Sequence, residues 1–489
     1  MTRLRFAPSP TGFVHVGNAR TALFNFLHSK HVDGQLVLRI EDTDLERSKK
    51  EYEENLIKDL QWMGIVWDEG PDRGGDKGPY RQSERTAMYQ EHAQSLIDSG
   101  KAYYCFCTPE ELEKQKEEAV AEGRPPGYSG KCRSIPIEEA KARVDAGEEA
   151  AIRFAIPADV PVVFQDLVRG EVTFDSNLLH DLVIVRSNGM PAYNFSVILD
   201  DHFMNIDLVV RGEDHLSNTA RQVLLYHAFD FPLPKFAHLS MVMGEDNTKL
   251  SKRHGSTSIA QFREQGYLPQ ALLNYLALLG WSPGDETEVM DVTELAKKFN
   301  LEKVSKSAAI FDYQKLKWMN REHIRLLDNV QLGRELTPFL RQAGYTVEES
   351  DGQLAWIGKT GSVLSSYTYL FTEMVEEFKQ FTSIDLPEEV MKDLRESESA
   401  YTVISRLYEA ISTMESPVSF QDIVKITKEI QKDTGIKGKQ LYHPIRLALT
   451  GKESGIELSD FIPIIEEGSI LPLIPAVQNM KSRLQTIVT

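Results

Sequence analysis

Residues 8–20 read Pro-Ser-Pro-Thr-Gly-Phe-Val-His-Val-Gly-Asn-Ala-Arg. Gly12 and Gly17 let a ligand approach the backbone closely, and His15 can donate to a phosphate oxygen. A helix opening after His15 would offer unpaired N–H groups and a positive dipole end, which suit a polyphosphate. A proline- and glycine-rich turn with an incidental histidine explains the same letters equally well. Two lysine clusters could supply the cations that a polyphosphate requires. One is Lys249-Leu250-Ser251-Lys252-Arg253, and the other is Lys303-Val304-Ser305-Lys306-Ser307. Arg5, Glu41 and Arg211 lie in or at the ends of short apolar runs, where an open parallel sheet presents its ligands. The three cysteines, Cys105, Cys107 and Cys132, sit close together, and thiolates suit Zn²⁺.

These residues need a scaffold. Leu4 and Phe6 alternate before the turn at 8–12. Ala19, Ala22, Leu23, Phe26 and Leu27 keep helical spacing over 18–31. Leu36, Val37, Leu38 and Ile40 form a run of buried-strand type, and Leu56, Leu60 and Met63 share one face of a second helix. Strand and helix alternating at this pitch predict a parallel sheet of Rossmann type. From 105 to 190 the pattern changes to a charged helix and short strands, which predicts an α+β insertion. The α/β pattern resumes near Tyr193. An apolar run at 206–210 leads into Arg211-Gly-Glu-Asp-His, and Thr219 with Gln222 is spaced to open the next helix as a capping box. Beyond about 325, amphipathic stretches predict an all-α region.

The bulk properties bound the function. At roughly 150 residues per domain, 489 residues predict about three domains. A net charge of −18 argues against a uniformly basic nucleic-acid coat or a membrane-surface binder, although a phosphate backbone meets a patch and not an average. Three cysteines exclude a disulfide scaffold and fit a reducing compartment. With no secretory leader pattern and no apolar run near 18 residues, the expectation is a soluble, cytoplasmic chain.

Within this frame, His15-Val16-Gly17-Asn18 resembles the His-Ile-Gly-His signature of class I aminoacyl-tRNA synthetases. The form is that of bacterial glutamyl-tRNA synthetases, and the Pro-Ser-Pro-Thr-Gly lead-in also resembles the glutamyl enzymes. The cluster at 249–253 follows an apolar run and a turn, so it resembles the family's second, lysine-bearing signature. The cluster at 303–307 is closer in letters to Lys-Met-Ser-Lys-Ser. It precedes 311–320, however, which resembles the segment joining catalytic and anticodon portions, so it is assigned as a look-alike. Residues 435–451 also resemble the C-terminal part of the family, and the resemblance spans nearly the whole chain.

The resemblance implies ATP-dependent attachment of L-glutamate to tRNA through a glutamyl-adenylate, with Mg²⁺ accompanying ATP and glutamate activation needing bound tRNA. It implies catalytic roles for His15, Gly17, Asn18, Lys249 and Lys252. Glu213, Asp214, Leu250 and Ser251 join these as ATP-site candidates, and Arg5, Ser9, Glu41, Tyr193 and Arg211 form the glutamate pocket. The expected organisation is a Rossmann catalytic core in two halves (1–104 and 191–237) around a connective, acceptor-binding insertion (105–190). A stem-contact region with the Lys-Leu-Ser-Lys loop (238–325) and a helical anticodon-binding region (326–489) follow. Cys105, Cys107, Tyr128 and Cys132 resemble the zinc motif of some bacterial members, with a structural role; three reduced thiols without metal are the alternative.

The expected partners are glutamate and tRNA(Glu), the chain acting as a monomer away from membranes. Residues 303–325 carry six basic and two acidic side chains, and 421–452 carry seven and three, which suits salt-sensitive phosphate contacts. The family's discriminating arginine falls loosely near 355–372, and that stretch has none. This points to relaxed specificity, in which tRNA(Gln) is charged as well. Two rivals stay open: a small-molecule nucleotidyltransferase of the same fold, and an inactive tRNA-binding paralogue.

Overall fold

The computed structural model describes residues 1–44, 46–123, 126–382, 384, 386–414, 417–473 and 475–489, and for Lys252 the backbone alone. The chain divides into two compact units. The first comprises Met1–Phe262 and Leu272–Asp312, and the second Arg263–Ala271 and Tyr313–Thr489.

The first unit is built on a six-stranded sheet. Its order is Gln35–Leu38, Arg3–Phe6, Leu208–Gly212, Lys235–Leu239, Pro161–Asp166 and Gly170–Asp175. All neighbours run parallel except the last pair, an antiparallel hairpin. Leu4, Val37, Val209 and Ala237 are buried along it, as expected for strands covered on both faces. The helix Val16–His31 follows the first strand and is buried over most of its length, which places its N-terminus at the carboxyl ends of the strands. A separate antiparallel sheet joins Ala102–Cys105, Ala151–Phe154 and Leu182–Val185.

Two sequence expectations are revised here. The hairpin 161–175 belongs to the segment read as an insertion, yet its first strand pairs with Lys235–Leu239 in the central sheet. Asp166 caps the hairpin turn by accepting from the Val168 and Arg169 amides, and Gly170 supplies the left-handed φ of +84° that the turn needs. Thr219 and Gln222 do not cap a helix. The helix starts at Leu216, and both side chains lie inside it, turned to Arg211.

The second unit is helical among the described residues, from Tyr313–Arg325 to Met480–Val488. The helices Asn329–Gln342 and Asp351–Leu364 approach so closely that a Cβ on Gly358 would lie 1.7 Å from the Asn329 carbonyl oxygen. Trp356 is fully buried, and its indole N–H donates to the Ile464 carbonyl at 2.8 Å. Arg483 holds the carbonyls of Leu449 and Phe381, both at 2.7 Å, and so ties two helix ends together. Among the described residues no helix is long and apolar enough to cross a membrane.

Candidate active site

A cavity of about 1180 Å³ opens at the carboxyl ends of the central strands. Arg5, Ser9, His15, Gly17, Asn18, Glu41, Tyr193, Arg211, Asp214, Lys249, Leu250 and Ser251 all line it. Residues 200 positions apart in sequence are thus brought together by the doubly wound sheet.

His15 is the N-cap of the helix Val16–His31, and its Nδ1 accepts from the Gly17 amide at 3.3 Å. Burial lowers the imidazole below its ordinary value of 6.5, and nearby Lys249 adds to this. The ring is therefore neutral at pH 7, with Nδ1 occupied as an acceptor and Nε2–H left to donate. Asp246 braces the lysine loop. It accepts from the Thr248 amide and hydroxyl at 3.0 and 2.6 Å, from His254 at 3.0 Å and from Arg253 at 3.1 Å. Lys249 and Ser251 follow this brace into the cavity wall. Lys252 stands on the short turn Lys252–His254, and its side chain lies outside the described residues. The competing cluster is used elsewhere: Lys306 donates to the Arg169 carbonyl at 3.2 Å and accepts from the Arg169 side chain at its own carbonyl at 2.8 Å.

The acidic and basic residues form a buried network. Asp201 accepts from Arg5 Nε at 3.1 Å and from Arg39 Nη1 at 2.7 Å. Arg39 also reaches Glu41 at 3.2 Å and lies 3.7 Å from Asp200, which in turn holds Arg85 at 2.7 Å. Three arginines and three carboxylates thus balance in charge. Burial alone would raise Asp201, but Arg5 and Arg39 outweigh it and hold the carboxyl below its usual value. Glu41 goes the other way. Burial dominates over Arg39 and Arg5, so its carboxyl is pushed up, and burial pushes Asp200 up in the same way against Arg39 and Arg85.

Arg211 differs from the other arginines. Its Nε donates to His238 at 3.3 Å, Nη1 to the Tyr193 hydroxyl at 3.2 Å, and Nη2 to Thr219 and Gln222, both at 2.6 Å. All four acceptors are neutral, and among the described residues no carboxylate pairs with it. One N–H of the five and the whole positive charge remain for a ligand.

Glu213 does not line the cavity. It is engaged by the Arg169 side chain and by the Met241 amide at 2.7 Å. Sequence reasoning also missed Asp200, Asp201, Arg39 and His238. The adjacent acids at 200–201 inside an otherwise apolar helix were the available signal, since buried acids need cations.

Cys105, Cys107 and Cys132 converge with all three sulfurs within 4.8 Å of one another, and the Cys107–Cys132 pair is 3.6 Å apart. Tetrahedral zinc with Zn–S near 2.3 Å sets sulfurs about 3.8 Å apart, so the trio has the dimensions of a zinc site. The Tyr128 hydroxyl sits beside it, accepting from the Cys132 amide at 2.7 Å.

Known proteins resemble the chain over nearly its full length. Residues 1–318 match the family model for tRNA synthetases class I (E and Q), catalytic domain, and 331–471 match an anticodon binding domain. A glutamate–tRNA ligase of Sulfurihydrogenibium sp. (strain YO3AOP1) is 49% identical over 95% of this chain and 96% of its own. Glutamate–tRNA ligase 1 of Caldicellulosiruptor saccharolyticus is 46% identical over 96% and 97%. The crystal structure of a glutamate tRNA ligase from Elizabethkingia meningosepticum, in complex with its amino acid, superposes with a TM-score of 0.86. It is 34% identical and covers 100% of this chain and 99% of that one. By sequence over nearly its full length and by fold, the chain belongs to the glutamate–tRNA ligases of the class I tRNA synthetase family.

Proposed function

We propose that the chain attaches L-glutamate to tRNA by way of a glutamyl-adenylate, consuming ATP. The observation that carries this reading is the charge pattern of the cavity. The cluster of Arg5, Arg39, Arg85, Glu41, Asp200 and Asp201 is balanced, and the zwitterionic head of an amino acid leaves it balanced. Arg5 offers its terminal N–H groups to a carboxylate, Glu41 faces the ammonium, and Ser9 and Tyr193 shape the wall. The uncompensated Arg211 then asks for one further anion, which the side chain of glutamate provides.

Adenylation is attack of a carboxylate oxygen on the α-phosphorus of ATP, which breaks the bond to the β-phosphate oxygen and releases pyrophosphate. The nucleophile is already ionised at pH 7, so no general base is needed. Positioning and stabilisation of phosphate charge do the work. The N-cap of the helix Val16–His31, with Gly17 and Asn18, receives the nucleotide. His15 donates from Nε2 to a phosphate oxygen. Lys249 and Lys252 counter the developing charge, with Leu250 and Ser251 forming the loop that carries them. Asp214 faces the nucleotide or the tRNA end. Mg²⁺ entering with ATP would neutralise charge on the phosphate oxygens. The 2′-hydroxyl of the terminal ribose then attacks the mixed anhydride, and AMP leaves.

The helical unit carries the anticodon contacts. The absence of an arginine from 355–372 supports charging of tRNA(Gln) alongside tRNA(Glu). Cys105, Cys107 and Cys132, with Tyr128 as fourth donor, would hold a zinc ion whose role would be structural, fixing the fold of the inserted segment. The test is incubation of the full chain with ATP, Mg²⁺, labelled glutamate and purified tRNA. Label should become acid-precipitable only when all are present. A nucleotidyltransferase would turn over without tRNA, and an inactive paralogue would bind tRNA without incorporating label.

A further inference from the structure

We infer that His238 and Asp166 are positioning residues for glutamate recognition, locking Arg211 into the orientation that leaves one N–H and its charge for the substrate carboxylate. This rests on the assignment of Arg211 to the glutamate side chain. Neither residue lines the cavity, and both are essentially inaccessible, with fully buried side chains.

The hydrogen bonds form a one-way chain. The Asp166 carboxylate sits on the hairpin that closes the sheet, and all its partners are donors. They are the Val168 and Arg169 amides on one oxygen, and the His238 amide at 3.0 Å and Nδ1 at 2.6 Å on the other. Burial would raise this carboxyl, but the bonds from His238 and the two turn amides hold it low, so it is ionised and only accepts. The His238 proton is therefore fixed on Nδ1, and Nε2 is an acceptor. Burial keeps the ring below its ordinary value of 6.5 and Arg211 reinforces this, with Asp166 opposing. Nε2 faces Arg211 Nε–H at 3.3 Å and the Thr219 hydroxyl at 2.8 Å. The Thr219 hydroxyl has two acceptors within reach, Nε2 at 2.8 Å and the His215 carbonyl at 3.1 Å; with its hydrogen turned to the nearer Nε2, its oxygen accepts from Arg211 Nη2 at 2.6 Å.

The opposite tautomer would break this arrangement. It would set an Nε2–H against the Arg211 Nε–H, so two buried donors would face each other. An aspartate from the hairpin thus dictates, through one imidazole, where a guanidinium two strands away points. A neutral acceptor is also the right partner here. A carboxylate at the His238 position would hold Arg211 more strongly but would cancel the charge that glutamate must meet.

Three variants separate this role from simple packing. His238→Asn keeps a donor near the Nδ1 position and loses the acceptor. His238→Gln places an amide oxygen near the Nε2 position and keeps the acceptor. Thr219→Val removes the bridging hydroxyl with little change of volume. Charging kinetics of the full chain, at saturating tRNA, should show the glutamate KM raised at least about tenfold in the Asn and Val variants, the worth of a hydrogen bond to a charged group. The ATP KM should stay within about threefold, and the Gln variant should recover most of the glutamate KM. Equal defects in Asn and Gln, or parallel changes in both substrates' KM, would overturn the inference. Arg211→Gln, run in parallel, tests the assignment beneath it. If that variant leaves the glutamate KM unchanged, the pocket assignment itself is wrong. If it raises KM while Asn and Val do not, only the role of His238 and Asp166 falls. Should the Asn variant not fold, Asp166→Asn decides in its place: with its amide oxygen kept by the turn amides, its N–H faces His238 Nδ1 and forces the other tautomer, so the glutamate KM should rise about tenfold, and an unchanged KM would overturn the inference.

Discussion

Asp201→Asn is the most informative single change in the buried charge network. Asp201 is 4% exposed and serves two guanidinium groups, Arg5 at 3.1 Å and Arg39 at 2.7 Å. At about 3 Å and an effective dielectric of about 20, each pair attracts by roughly 5–6 kcal/mol before desolvation is counted. The amide keeps the shape and removes the charge, so the balanced cluster of three cations and three anions gains a net positive charge among side chains that are almost wholly buried. Stranding a buried charge costs about 3–5 kcal/mol. At about 2 °C per kcal/mol for a large unit, melting should fall by roughly 6–10 °C. Scanning calorimetry of the full chain measures this directly. Arg5 also loses its anchor, so the glutamate KM should rise by about tenfold in the material that remains folded. A melting temperature within about 1 °C of wild type would refute the reasoning, because it would mean that the cluster is neither tightly paired nor dry.

Three further outcomes follow from the geometry. Lys249→Ala should lower kcat/KM for ATP by about 10²-fold or more, whereas Lys306→Ala should change it by less than about threefold, since Lys306 is bonded to the hairpin at Arg169; steady-state kinetics in ATP decides. Freshly purified protein should contain one zinc per chain by elemental analysis, and Cys107→Ser should lose it together with thermal stability. His28 is held down to about 4 from 6.5, by burial first and then by His31 and Lys235. Its neutral form is the folded form, so its contribution to stability is full above pH 6.5 and is lost as pH falls towards 4. Denaturation midpoints should decline across that window, and His28→Gln should make the decline shallower.

Much of the site was legible because its residues stand at strand ends. Arg5, Glu41 and Arg211 are read off short apolar runs, and the glycines with His15 announce a helix N-terminus. The paired context of Lys249, after an apolar strand and a turn, also separates it from the look-alike at 303–307. What could not be read was partnership. Thr219 and Gln222 fit a capping pattern by spacing, but spacing does not say which way a side chain points. Only the packing of the helix Leu216–Ala228 against the strand Pro161–Asp166 and the helix Tyr193–Phe203 turns them to Arg211. The hairpin at 161–175 looked like part of an insertion because local alternation fixes a strand and not its sheet, and the pairing with Lys235–Leu239 spans about 70 residues. His238 is invisible for the same reason: a histidine in an apolar strand acquires its role only from an aspartate supplied by that distant hairpin.

On the proposed reading, a charge-balanced head pocket beside one uncompensated arginine selects an amino acid with an anionic side chain. The measurement that tests it most directly is kcat/KM for glutamate against glutamine in tRNA charging, for the wild-type chain and for Arg211→Gln. The uncancelled buried cation predicts that wild type prefers glutamate by about 10³-fold or more, and that most of this preference disappears in the variant. Comparable charging of both amino acids by the wild type, or an unchanged preference in Arg211→Gln, would contradict the account.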